Sequence, residues 1–321
     1  MIRFPRTLSE VEAALVPGSV LRAGNTELGP RRRLGLDTGP LVDLRDLADF
    51  DRVEPLPDGG LRVGAGLRVA ALAAHPAVKA GYPALAHAAA SLATPAVRHQ
   101  ASLGGALLQR NRCAYLRHPD LACLQKGGSA CLARAGDHAD HVCFDLGPCA
   151  APHPSTLAAA LLAEDARVLL SAGPPRDIDA LLGDGRDPTR DHAVPEGVFI
   201  QAIDLPPPLP GARGATLRAT ARARAEWPSV EVVVRYHVQD GVIHAPRVVL
   251  GAVARVPLLR TGAMRALAGR PPGPEAFEAA GRAAAEDARP LPQTAWKVRL
   301  IAPLVADALA RAAAAGAPGA P

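Results

Sequence analysis

The sequence predicts an α+β chain of two domains, and three observations carry that reading. Its 321 residues exceed a single domain of about 150 residues. A proline run, Leu205-Pro206-Pro207-Pro208-Leu209-Pro210-Gly211, reads as a stiff spacer, because consecutive prolines hold the backbone extended. Beyond it, two apolar strand runs, Ser229 to Val238 and Val242 to Val253, flank the hairpin signal Gln239-Asp240-Gly241.

Helical runs follow that hairpin near 261–268, 273–287 and 296–314, the last an Ala-rich packing helix. The C-terminal domain is placed at 212–321 and the N-terminal one at 1–206. Within the latter, a small α/β lobe over about 1–57 carries strands at 18–22 and 41–44. A larger lobe over about 58–206 carries helices at 83–93 and 155–164 and the strand Ala166 to Ser171. The tail from Ala312 to Pro321 is expected to fray.

Hydrophobic residues at 49% against 21% charged exclude a disordered chain. Gly 30 and Pro 32 exclude a coiled coil or plain bundle. Aromatics at 3% leave no stacking platform for single-stranded nucleic acid. The net charge of +5 is spread, with Arg31-Arg32-Arg33 the longest run, so no nucleic-acid partner is expected. Lys occurs only at Lys79, Lys126 and Lys297, a bias that fits a high-GC genome. No uncharged apolar run reaches about 18 residues, so no membrane span is expected. The N-terminus shows no signal peptide, and the expected compartment is the cytoplasm, or the periplasm if a partner carries the export signal.

All five cysteines, Cys113, Cys123, Cys131, Cys143 and Cys149, fall between 113 and 149. An odd number in a large chain read as cytoplasmic weakens a disulfide framework. A metal centre is the stronger reading. Zinc templates want close pairs, which are missing, and His118, His138, His141 and His153, read as loop residues, match no zinc spacing. Thiolates on an irregular loop suit an iron–sulfur cluster. The turn-formers Gly127-Gly128-Ser129 and Arg134-Ala135-Gly136-Asp137 support the loop. A loop over 108–150 is long enough to imply a function.

Three segments of permissive backbone precede it: Val20 to Gly29, Leu61 to Gly66, and Ser102 to Leu107. The first offers successive N–H groups that could cradle a pyrophosphate. In the third, Gly104-Gly105 permits close approach of a ligand. None is a dinucleotide fingerprint of the G-x-G-x-x-G kind.

In order and content these motifs resemble the FAD-binding subunit of the molybdenum hydroxylases, the xanthine dehydrogenase and aldehyde oxidoreductase family. Ala23-Gly24-Asn25-Thr26-Glu27-Leu28 is similar to its first flavin loop, A-G-G-T-[DN]-L. Arg98-His99-Gln100-Ala101-Ser102-Leu103-Gly104-Gly105-Ala106 is similar to its second, R-[NH]-x-A-[ST]-[IL]-G-G-N. Arg247 to Ala254 and Pro292 to Lys297 resemble its C-terminal motifs. The cysteine segment resembles the flavin subunit of bacterial three-subunit aldehyde oxidoreductases, which carries an extra [4Fe–4S] cluster.

The resemblance spans the chain and implies a two-lobed PCMH-type FAD-binding domain, then a small α+β domain of antiparallel sheet plus helices. It implies FAD held by Ala23, Gly24, Asn25, Thr26, Glu27, Leu28, Ala101, Ser102, Gly104, Gly105 and Ala106, with Lys297 near the flavin rim. It implies a [4Fe–4S] cluster on Cys113, Cys123, Cys131 and Cys149, with Cys143 the spare. The implied role is electron transfer. A large partner subunit with a molybdopterin centre oxidises the organic substrate, a small partner carries [2Fe–2S] clusters, and FAD in this chain serves an external acceptor. No catalytic residue is expected here. Asn25, Glu27 and Ala106 depart from the family pattern, and of the segment Leu217 to Arg224 only Arg224 matches. Those departures motivate an alternative, a flavin-free iron–sulfur scaffold subunit. A stand-alone flavin oxidase is disfavoured, because neither loop carries a flavin-linking His or Cys.

Overall fold

The computed structural model describes residues 2–315. Three sheets organise it. Strands β1 (Ile2–Arg3), β2 (Val20–Arg22) and β3 (Leu41–Asp43) form a parallel sheet in the order β1-β3-β2. Strands β4 (Val53–Pro55), β5 (Leu61–Gly64), β6 (Arg167–Leu170), β7 (Arg176–Asp177) and β8 (Ile200–Leu205) form an antiparallel sheet in the order β4-β5-β8-β6-β7. Strands β9 (Arg213–Ala219), β10 (Val230–Gln239), β11 (Val242–Gly251) and β12 (Leu258–Leu259) form the third, in the order β12-β11-β10-β9.

The hairpin signal is realised. Asp240 and Gly241 take φ of 52° and 76°, the left-handed pair that a tight two-residue hairpin requires. The last three helices form at Thr261–Leu267, Pro274–Ala285 and Ala295–Ala315, and the earlier two at Pro83–Ser91 and Thr156–Ala163. The frayed tail lies mostly outside the described residues. Its first part, Ala312 to Ala315, continues the final helix.

The proline run is not a free spacer. Tyr82 Oη donates to the Pro206 carbonyl at 2.7 Å, and a Cβ on Gly81 would meet Pro208 Cβ at 2.9 Å. Nor do the two halves keep separate cores. In β10, Val232, Val234 and Tyr236 enter the core beneath the final helix, while Val233 enters the core of the N-terminal half. A strand points alternate side chains to opposite faces, so a sheet covered on both faces reads apolar throughout. Its second cover is the pair of Ala-rich helices Pro83–Ser91 and Thr156–Ala163. Their small side chains allow close seating: a Cβ on Gly214 would stand 2.8 Å from the Ala84 nitrogen.

One carboxylate is enclosed in this seam. Glu231 is 2% exposed and lies opposite Arg218 in the ladder, and burial pushes its carboxyl up to about 7 from an ordinary 4.5. A raised acid pKa makes the folded state bind the proton more tightly. The stability Glu231 contributes is therefore fully present below about 4.5 and is lost as pH rises through about 7. Glu231→Gln should raise stability at pH 8 by about 1–3 kcal/mol and change it little at pH 4, as read by thermal melts across pH.

Candidate functional site

The two glycine loops meet. A Cβ on Gly24 would stand 2.2 Å from the Gln100 carbonyl oxygen, so only glycine lets the Ala23–Leu28 loop touch the second loop. Asn25 has φ 59°, the left-handed conformation that Asn tolerates best among residues with a side chain. On the second loop, Ser102 accepts from Gly105 N and starts the short helix Leu103–Leu107. Gly104 serves packing: its N–H donates to Ala65 O at 2.8 Å, and a Cβ would meet Ala65 Cβ at 2.9 Å. That corrects its expected role as ligand space. Gly105 is exposed, with only Ser102 Oγ near its absent Cβ.

Together the loops wall a cavity of about 280 Å³, lined by Ala23 to Leu28, Ser102, Gly104 and Gly105. Among the described residues, the N–H groups of Asn25, Thr26 and Glu27 find no acceptor within the chain. Successive free N–H groups at a cavity suit an anion, and that donor set fits the diphosphate of FAD. Ala101 and Ala106 are buried at 4% and 7% exposure and do not line the cavity. They support it from behind, and Ala106 O accepts from Ser155 Oγ at 2.7 Å. Sequence reasoning missed Phe50 and Phe199, an edge-on pair at 6.2 Å that belongs to the cavity wall. They come from distant segments with no local motif.

Glu27 accepts from Arg112 and from Arg117, the latter at 3.0 Å, so its departure from the family pattern is matched by cations of the cysteine segment. Arg112 also lies 4.6 Å over the ring of Trp227, which comes from the loop after β9. The pair borders a second cavity of about 640 Å³, whose wall includes Cys113, Tyr115, His141 and His153.

Cys113, Cys123, Cys131 and Cys149 line one small hollow, and Cys143 does not. Cys113 thus faces both this hollow and the second cavity. The segment is not wholly irregular. Cys113, Cys123 and Cys131 each immediately precede a helical turn, at Ala114–Arg117, Leu124–Lys126 and Leu132–Ala135. Free N–H groups of a turn favour the thiolate. A hydrogen bond between Cys131 and Cys149 holds the first toward thiolate and the second toward thiol. The turn at Gly127-Gly128 is sterically fixed: Gly127 has φ 79°, and a Cβ on Gly128 would stand 2.1 Å from Ala122 O. Among the described residues, no group of three or more His, Cys, Asp or Glu side chains stands at metal-holding geometry.

Asp191 anchors this segment. It is 5% exposed and accepts from Arg110 Nε at 2.7 Å, Asn111 Nδ2 at 2.9 Å, Gln125 Nε2 at 2.9 Å and Arg255 Nη1 at 2.9 Å. Burial alone would raise its carboxyl, but Arg255 and Arg110 hold it well below the usual range. Asn111 in turn accepts from Cys113 N at 3.1 Å.

Cys143 is fully buried in the C-terminal core, where its N–H donates to Val253 O at 2.9 Å. The 108–150 segment is therefore more than an insertion between lobe elements, since its end is stitched into the C-terminal domain. Lys297 completes that stitch. Expected at the flavin rim, it lines neither cavity. It is 0% exposed, and its ammonium donates to Asp140 O, His141 O and Ala252 O at 3.0, 2.9 and 3.2 Å. Burial lowers its pKa to about 8. Of the histidines read as loop residues, only His118 is exposed, while His138, His141 and His153 are buried. His138 Nδ1 meets the Ala133 and Gly136 carbonyls, both at 2.9 Å.

Comparison with known proteins places this architecture. Residues 3–208 match the FAD binding domain in molybdopterin dehydrogenase, and residues 215–312 match the CO dehydrogenase flavoprotein C-terminal domain. The aldehyde oxidoreductase FAD-binding subunit PaoB of Escherichia coli (strain K12) is 35% identical over 267 residues, covering 79% of this chain and 82% of the relative. Quinoline 2-oxidoreductase from Pseudomonas putida 86 superposes with a TM-score of 0.76 at 19% identity, over 98% of this chain and 97% of the other. Carbon monoxide dehydrogenase from Hydrogenophaga pseudoflava gives 0.75 at 21%, over 98% and 96%. These two likenesses show the fold, a PCMH-type FAD-binding domain followed by an antiparallel sheet with helices. Among the described residues, no helix is long and apolar enough to cross a membrane. By sequence, motif order and architecture alike, the chain belongs to the FAD-binding subunits of the molybdenum hydroxylases, an oxidoreductase family.

Proposed function

We propose that this chain is the electron-transfer flavoprotein subunit of a cytoplasmic molybdenum-containing aldehyde oxidoreductase complex. In this reading residues 1–206 hold FAD, 212–321 close over it, and a small [2Fe–2S] subunit and a large molybdenum-cofactor subunit are its partners. FAD supplies the conversion between two-electron and one-electron transfer. The chain's own residues bind and orient. Asn25, Thr26 and Glu27 offer N–H groups to the diphosphate, Gly105 leaves open space beside them, and Arg112 on Trp227 bounds the second cavity, assigned to the flavin ring. Cys113, Cys123, Cys131 and Cys149 are assigned to a [4Fe–4S] cluster, since four soft thiolate donors around one hollow suit iron–sulfur chemistry.

The observation that carries the reading is Cys113, which faces both the four-cysteine hollow and the second cavity. That places the proposed cluster beside the proposed flavin ring. The motive for a flavin-free scaffold weakens, because Asn25 keeps the loop's left-handed turn and Glu27 is paired.

Co-expressed with its neighbouring subunits, the protein should purify as a stoichiometric heterotrimer or a dimer of one. Anaerobically purified protein should show flavin absorbance near about 450 nm over a broad cluster shoulder. A shoulder alone would favour the scaffold reading. Flavin alone would remove the cluster. A well-behaved monomer oxidising aldehydes without molybdenum would sink the subunit reading.

A further inference from the structure

We infer that Arg31 recognises the FAD diphosphate and thereby sets the preference of this site for FAD over flavins that lack one. The inference rests on the flavin reading above. Arg31 belongs to the short helix Leu28–Arg33, directly after the first loop, and lines the same cavity. It is only 5% exposed. Its Nε donates to Asp37 Oδ2, yet its Nη1 is buried with no acceptor.

Its neighbour behaves differently. Arg32 Nη1 donates to Gly39 O at 2.9 Å and Nη2 to Thr38 O at 3.3 Å, which makes Arg32 a tie within the lobe. The other cations on the cavity wall are already engaged: Arg22 donates to Asp43 and Arg110 to Asp191. The wall's acids are engaged as well, Glu27 by Arg112 and Arg117 and Asp37 by Arg31 itself. Among these wall cations, Arg31 combines a buried position with a donor left unpaired.

Native structures rarely leave a buried donor orphaned, so an orphan at a cavity points to a missing acceptor. The planar guanidinium fork matches phosphate oxygens. With Nε retained by Asp37, the Nη side is what a diphosphate oxygen would meet. Riboflavin carries the same ring system and no phosphate, so it offers Arg31 nothing.

The test titrates deflavinated full-length protein with FAD and, separately, with riboflavin, following flavin fluorescence. In Arg31→Met, which keeps length and removes charge, FAD affinity should fall at least about tenfold while riboflavin affinity stays within about twofold. Arg31→Lys should recover part of the FAD affinity, because the positive charge returns without the fork. Unchanged FAD affinity in Arg31→Met overturns the inference. A riboflavin affinity that falls in step also overturns it, since that is what a purely architectural arginine would produce. If Arg31→Met does not fold, Arg31→Gln and Arg31→Lys carry the same comparison with the same overturning results. Wild-type protein that binds neither flavin overturns the flavin reading and this inference together, a result distinct from failure of the Arg31 variants alone.

Discussion

Cys123→Ser should strip the cluster iron from the protein, whereas Cys143→Ala should leave it. A [4Fe–4S] cluster takes one thiolate per iron from about four cysteines, and Cys123 lines the four-cysteine hollow. Cys143 instead sits in the C-terminal core, its backbone paired with Val253 and Arg289. Alanine is the informative change there, because a serine would bury a hydroxyl without a partner and cost about 1–3 kcal/mol by itself. Wild-type protein purified without oxygen should hold about four irons per chain, and Cys143→Ala should match it. Cys123→Ser should hold almost none and lose the low-temperature EPR signal of the reduced cluster. Equal loss in both variants would sink the choice of ligands. Wild-type protein without iron would sink the cluster itself.

Gly24→Ala should empty the flavin site nearly completely. The alanine Cβ would fall 2.2 Å from Gln100 O and 2.9 Å from Ala101 Cα, both backbone atoms that no rotamer change can move. The Ala23–Leu28 loop must then lift away from the second loop, and the free N–H groups of Asn25 to Glu27 lose their shared orientation toward the cavity. Gly59→Ala makes a useful contrast. Its Cβ would meet nothing within 4 Å, but its φ of 89° still strains an alanine, so it should lower stability modestly and leave flavin in place. Flavin absorbance per protein after gel filtration separates the two. Full flavin retention in Gly24→Ala would show that the apposition of the loops does not matter for binding. The cluster iron should survive in Gly24→Ala, since the cysteine hollow is built from other segments.

Much of this molecule was legible from the chain itself. Periodicity and turn chemistry gave the C-terminal hairpin and its three helices, because those elements are decided by residues close in sequence. Asp240-Gly241 can make a tight turn wherever it is placed, and an alternating or helical apolar pattern selects its own element. The loop glycines were readable for the same reason, since a left-handed or close-packed backbone needs a particular residue type at one position.

Other features depended on segments far apart. The sequence marked the four cysteines through a resemblance, but only the fold put them around one hollow and turned Cys143 into the core. The same folding carried Lys297 away from the expected flavin rim to three carbonyls, two of them in the cysteine segment. Arg31 read as one of three arginines in a short charged run. Tertiary structure distinguished it from Arg32, burying its guanidinium at the cavity wall with one donor unpaired. Asp191, in an unremarkable loop, became the anchor of the cysteine segment by accepting from Arg110, Asn111, Gln125 and Arg255. The physical reason is common to all of these. Local sequence determines backbone geometry, whereas burial and hydrogen-bond partnership belong to pairs of segments. Those pairs exist only once the chain has closed its cores on both faces of the C-terminal sheet.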